Sequence, residues 1–166
     1  MDLKKQLETH LSQIARERDP YLATAGHFFV QEYIRADFSQ WGSVEIHTFN
    51  VNNKLYENLI LNLPSVAQTE KDNLSPILIA AHYDGVPGSP GADDNASGVA
   101  VLLELARIFA TQPTKYPIRL VAFDMEEAGL LGSQEYVNQL LREKQKLRLM
   151  LSLEMLGYCN SNPGTQ

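Results

Sequence analysis

A histidine and several carboxylates stand at the ends of short apolar runs in this sequence. His82-Tyr83-Asp84 follows Pro76 to Ala81, Asp124-Met125-Glu126-Glu127 follows Ile118 to Phe123, and Glu154 interrupts the run L-S-L-E-M-L. A fourth acidic group, Asp93-Asp94-Asn95, comes after a stretch rich in glycine and proline, Gly85 to Ala92. Imidazole plus carboxylates, without thiolates, is a donor set that suits zinc, with manganese or cobalt as related options. Carboxylates gathered in one crevice repel and raise one another's pKa values, and a divalent cation removes that conflict. Asp84, two positions after His82, can accept a hydrogen bond from the imidazole nitrogen that faces away from a metal. Glu126 and Glu127 are adjacent, so their side chains diverge and can divide labour, one binding metal and the other acting as a general base.

Each residue taken singly has a plainer reading. His82 alone suits a satisfied core histidine. Asp93, Asp94 and Asn95 precede a helical stretch and are N-capping residue types. Glu126 and Glu127 suit the first turn of the helix that follows, where the dipole favours acids. Glu154 resists such a reading, because a carboxylate in an apolar strand is costly to bury unless a cation, a proton or a donor meets it.

The elements that position these groups follow from hydrophobic periodicity. Leu3, Leu7, Leu11 and Ile14 recur at helical spacing, and a second helix after Pro20 presents Phe28, Phe29, Tyr33, Ile34 and Phe38 before Trp41-Gly42. Residues 1–40 therefore form a helical segment that packs on the rest. Val44 to Val51 and Leu55 to Leu63 flank Asn52-Asn53, a turn dipeptide that tolerates positive φ, which predicts a β-hairpin. Apolar runs at Pro76 to Ala81, Ile118 to Phe123 and Leu147 to Leu153 alternate with helices at about Ser97 to Ala110 and Leu130 to Lys144. Continuous apolar strands separated by helices imply a largely parallel sheet buried on both faces. The polar clusters then meet at the C-terminal ends of the strands, where open α/β sheets place their sites.

The chain has 166 residues, of which 44% are hydrophobic, enough for a single domain with one core over residues 1–166. With 14 basic against 20 acidic residues and no basic block, it lacks the footprint of a nucleic-acid or anionic-membrane partner. No run approaches the roughly 18 apolar residues that span a bilayer. Cys159 is the single cysteine, so folding needs no internal disulfide, and the expectation is a cytoplasmic protein.

In order along the chain, H-Y-D-G, G-A-D-D-N-A-S-G, D-M-E-E-A-G-L-L-G-S and L-E-M-L-G-Y resemble successive motifs of the co-catalytic two-zinc aminopeptidases, from about residue 77 to 158. The resemblance implies the N-terminal part of a catalytic domain. Its fold would be three-layer α/β/α, with a mixed, mainly parallel sheet lacking its C-terminal part. It implies that His82 binds one metal, that Asp93, the first aspartate of its pair, bridges two, and that Glu154 completes the first set. Glu127 would bind the second ion, Glu126 would take a proton from the attacking water, and Asp84 would orient His82. The implied reaction is hydrolysis of the N-terminal peptide bond of a peptide substrate.

Two departures bear on that reading. Many relatives have aspartate where this chain has Glu154. The family's fifth ligand, a downstream histidine, has no counterpart, since the histidines here are His10, His27, His47 and His82. One fillable zinc site out of two, and a chain weakly active or inactive alone, are the expectations that follow, with an exposed sheet edge inviting homodimerisation. Alternative readings are a glutaminyl-cyclase-like acyltransferase and a noncatalytic binding module built on a degenerate hydrolase fold.

Overall fold

In the computed structural model, which describes residues 2–66 and 74–158, helix and strand follow the sequence pattern closely. Helices α1 (Leu3–Ile14) and α2 (Thr24–Phe38) come first, then strands β1 (Val44–Val51) and β2 (Lys54–Leu63). Strand β3 (Ile77–His82) leads through a wide turn, Ala92–Ser97, into α3 (Gly98–Thr111). The chain continues through β4 (Ile118–Phe123), α4 (Leu131–Arg142) and β5 (Leu149–Ser152). Asp2 opens α1 by accepting a hydrogen bond from the Lys4 N–H at 3.2 Å, satisfying one of the free donors of the first turn. Asn52 and Asn53 both take positive φ in the β1–β2 turn, the conformation that short polar side chains tolerate. Cys159 lies outside the described residues.

The sheet runs in the order β1-β2-β4-β3-β5. β1, β2 and β4 pair antiparallel, and β4, β3 and β5 are parallel, so the expected hairpin on a parallel sheet is present. Period-two alternation sorts the strands between two faces. Leu59, Leu61, Ile79, Ala81, Leu120 and Ala122 face Ile14, Ile34 and Phe38 together with Val99, Leu102 and Leu103 of α3. Ile60, Leu78, Ala80, Val121 and Phe123 face Tyr136 and Leu140 of α4. Three layers result, with α1, α2 and α3 on one side and α4 on the other. Among the described residues no helix is long and apolar enough to cross a membrane.

Two details differ from the sequence expectation. The buried face of α2 is His27, Val30, Ile34 and Phe38, whereas Phe28 is 62% exposed. Burial at positions spaced three and four apart sets the helix rotation here, and a buried histidine takes the place that an aromatic was expected to fill. Strand β5 is not buried on both faces: Leu149, Met150 and Leu151 remain 44–49% exposed. It lies at the end of the sheet with β3 as its neighbour, so apolar composition alone could not reveal what covers it.

Candidate metal centre

Strands β3 and β4 run parallel in register from Ile77↔Ile118 to His82↔Phe123, so both deliver their following residues to one level. β5 pairs on the other side of β3, and the Leu153 N–H donates to Ala80 O at 2.7 Å, which sets Glu154 beside His82. His82 is almost wholly buried, and its Nε2 lies 3.0 Å from Asp94 Oδ1 and 3.4 Å from Glu154 Oε1. One donor atom each from His82, Asp94 and Glu127 falls within 4.8 Å of the others, the geometry of a metal-binding trio.

The aspartate in this trio is Asp94, not Asp93. In the wide turn neither Asp94 nor Asn95 has helical backbone angles, so the side chains there do not follow a helical projection. Asp93 Oδ1 accepts from the Gly157 N–H at 2.7 Å and from the Ser97 hydroxyl at 3.3 Å. The carboxylate expected to bridge two metals instead anchors the loop after Glu154, and its neighbour meets the histidine.

Asn95 does the capping that the sequence offered for the whole triplet. Its Oδ1 accepts from the Gly98 N–H at 3.1 Å, while its amide donates to Leu153 O at 2.8 Å. That pair of bonds ties the start of α3 to the segment bearing Glu154. Gly98 permits the approach, because a Cβ there would lie 2.3 Å from Asn95 Oδ1 and 2.6 Å from Leu153 O. Glu154 itself keeps 46% of its side chain exposed, so the anticipated cost of a buried strand carboxylate is reduced to partial desolvation: it sits just past β5 at the crevice mouth.

Asp84 is fully buried and meets three neighbours. Its Oδ1 lies 3.3 Å from His82 Nδ1, close enough for attraction although off the line of a well-formed hydrogen bond. The same carboxylate accepts from the backbone N–H groups of Glu126 and Glu127, each at 3.0 Å. It therefore lies beside the histidine and fixes the backbone of the acidic pair. Neither glutamate belongs to the first turn of α4, which begins only at Leu131. Glu126 shares a pocket of about 170 Å³ with His82, Glu154, Ser133, Leu130 and Met150.

The electrostatics of the cluster ask for a cation. Burial works against charge on His82, yet Asp84, Glu154 and Glu126 overcome it and hold the imidazolium up to about 9. Burial pushes the Glu127 carboxyl up, and the Asp94 charge adds to that shift. Burial likewise raises Glu154, against the pull of His82. Glu127 Oε1 is buried with no hydrogen-bond partner among the described residues. An orphaned carboxylate oxygen, crowded acids and one imidazole together fit a divalent metal.

Asn58, fully buried on β2, braces the site from behind. Its amide donates to His47 Nδ1 and to Gly132 O, both at 2.8 Å, and its Oδ1 accepts from the Asp124 N–H at 2.9 Å. Accepting at Nδ1 requires a neutral His47 ring. Burial pushes its pKa below the ordinary 6.5, outweighing Glu135 and Glu45, which pull it up. A depressed folded-state value means that this contribution to stability is present above the unfolded value near 6.5 and is lost as pH falls toward the folded value. Urea unfolding between pH 7.5 and 5, chosen as roughly one unit or more on either side of an ordinary histidine, should show a shallower acid loss in His47→Gln than in the parent. Equal slopes would refute the assignment.

Sequence reasoning missed Asp94 as the residue meeting His82, Asn58 as the brace, and Arg18, a fully buried arginine behind the Asp94 turn. The adjacent pair Asp93-Asp94 was visible, but nothing in a linear pattern tells which of two neighbours in an irregular turn faces inward.

Fold and donor cluster together define an α/β protein with a candidate hydrolase-type metal centre. The chain belongs to peptidase family M28, which it matches over residues 58–166. Over 82 residues it is 46% identical to aminopeptidase YwaD of Bacillus subtilis (strain 168), covering 49% of this chain and 18% of that protein. BSAP, a zinc aminopeptidase of known structure from Bacillus subtilis, is 39% identical with a TM-score of 0.56, covering 64% of this chain and 26% of that one. A glutaminyl cyclase from Bacteroides thetaiotaomicron shares the fold with a TM-score of 0.75 at 22% identity, over 96% of this chain and 63% of that one. The chain spans about a fifth to a third of the length of the curated relatives it matches.

Proposed function

We propose that this chain carries a zinc centre of metal-dependent aminopeptidase type, acting on the N-terminal peptide bond of a peptide. The observation that carries the reading is the convergence of His82, Asp94 and Glu127 at the strand ends, with Glu126 in the adjoining pocket. His82, Asp94 and Glu154 would hold one ion, and Asp94 with Glu127 would offer two protein donors to a second. Bound zinc would polarise the scissile carbonyl and lower the pKa of water at the site. Glu126 takes the proton from the attacking water on its carboxylate and returns it to the departing amine. Asp84 holds the imidazole of His82 in place and, through the two N–H bonds, keeps Glu126 and Glu127 at fixed distances from it.

Zinc stoichiometry on this chain, and hydrolysis of aminoacyl p-nitroanilides by a metal-loaded form extended to supply the downstream histidine, test the reading. Bound zinc in this chain and release of nitroaniline by the extended form are the expected results. Full zinc occupancy with neither anilide nor peptide hydrolysis would sink the peptidase assignment, and cyclisation of an N-terminal glutamine substrate would replace it.

A further inference from the structure

Arg18 lies between α1 and α2, outside the stretch matched to the family, and is fully buried. Among the described residues, each hydrogen bond of its guanidinium ends on a backbone carbonyl rather than a carboxylate. Nε donates to Tyr83 O at 2.9 Å. Nη1 donates to Pro90 O at 2.6 Å, with longer bonds to Arg16 O at 3.2 Å and Ile14 O at 3.5 Å. Nη2 donates to Gly91 O at 2.9 Å and to Asp94 O at 3.2 Å. One planar group therefore clamps the residue between His82 and Asp84 to the entrance of the turn that carries Asp94 and to Asp94 itself.

A buried charge with no counter-ion in contact is costly, so its retention needs a compensating field. Burial lowers the pKa of Arg18, while Asp84, Asp94 and Glu127 act to raise it. The acids that surround the candidate metal centre are the acids that stabilise this cation. Only arginine can serve such a fork, since lysine concentrates its donors at a single point.

We propose that Arg18 is a positioning residue for the metal centre: it pins the Asp94 carbonyl to the Tyr83 carbonyl and so holds the Asp94 carboxylate at His82 before an ion arrives. This role rests on reading His82, Asp94 and Glu127 as metal ligands. Gly91 provides a second handle on the same contact. It has φ +49°, and a Cβ there would lie 2.3 Å from Asp94 O and 2.8 Å from Arg18 Nη2. Gly91→Ala therefore wedges the clamp open while leaving the arginine in place.

The test is Co²⁺ titration of the full chain and of Arg18→Lys and Gly91→Ala. Visible absorption reports ligand geometry, chelator competition gives affinity, and urea unfolding of the metal-free proteins gives stability. Both variants should bind Co²⁺ roughly 10- to 100-fold more weakly, as outer supports of a metal site generally do. Both should also show an altered cobalt spectrum, and the charge kept in Arg18→Lys should not rescue either property. If Arg18→Lys fails to fold, Gly91→Ala decides by the same two readouts. Parent-like affinity and spectrum, with only metal-free stability reduced, would overturn the role and leave Arg18 a structural staple. A parent protein that takes up no Co²⁺ would overturn the metal reading as well.

Discussion

Glu126→Gln is expected to lower turnover of a metal-loaded protein by roughly 10²- to 10⁴-fold, the usual contribution of a general base, while metal content stays unchanged. The amide is nearly isosteric but cannot take up a proton. The backbone should not move, because the anchor at this position is the Glu126 N–H, which donates to Asp84 whatever the side chain is. Loss of turnover with retained zinc would separate proton transfer from metal binding. Rapid hydrolysis by Glu126→Gln would instead move the base elsewhere, with Glu127 the next candidate, since its Oε1 is buried with no hydrogen-bond partner among the described residues. If zinc were lost along with activity, Glu126 would be acting as a ligand and the division of labour between the two glutamates would be reversed.

The strand ends were legible in the sequence because apolar runs end abruptly at His82, Asp124 and Glu154, and a parallel sheet must deliver such ends to one side. The hairpin and the helices were legible for the same kind of reason, periodicity interrupted by turn residues. What stayed hidden depends on tertiary partners. The face of α2 is decided by what it meets, and His27 buries there because its Nε2 reaches Asp124 Oδ1 at 2.7 Å and its ring stacks on Tyr83. Arg18 left no trace because its partners are carbonyl oxygens, which every residue has. Glu154 was read as a buried strand carboxylate, although the strand ends at Ser152 and the side chain is nearly half exposed. In each case the local pattern is informative and the direction of a side chain is not.

The Asp93-Asp94 pair turns that lesson into a measurement with a large expected effect. Asp94→Asn should weaken zinc binding by more than the roughly 10- to 100-fold typical of an outer partner, because it removes a charged donor 3.0 Å from His82 Nε2 and a member of the compact trio. Asp93→Asn should leave affinity close to that of the parent. Its Oδ1 accepts from the Gly157 N–H and the Ser97 hydroxyl, and an asparagine oxygen can accept both bonds. The two variants make the same chemical change at consecutive positions, so any difference between them reports direction rather than charge. Chelator competition on the purified proteins gives the ranking. Strong loss in Asp93→Asn with parent-like affinity in Asp94→Asn would restore the first aspartate as the ligand and would mean that the turn reverses when metal binds. Equal loss in both would point to the turn acting as one unit, with Gly157 and Glu154 drawn out of place when Asp93 lets go.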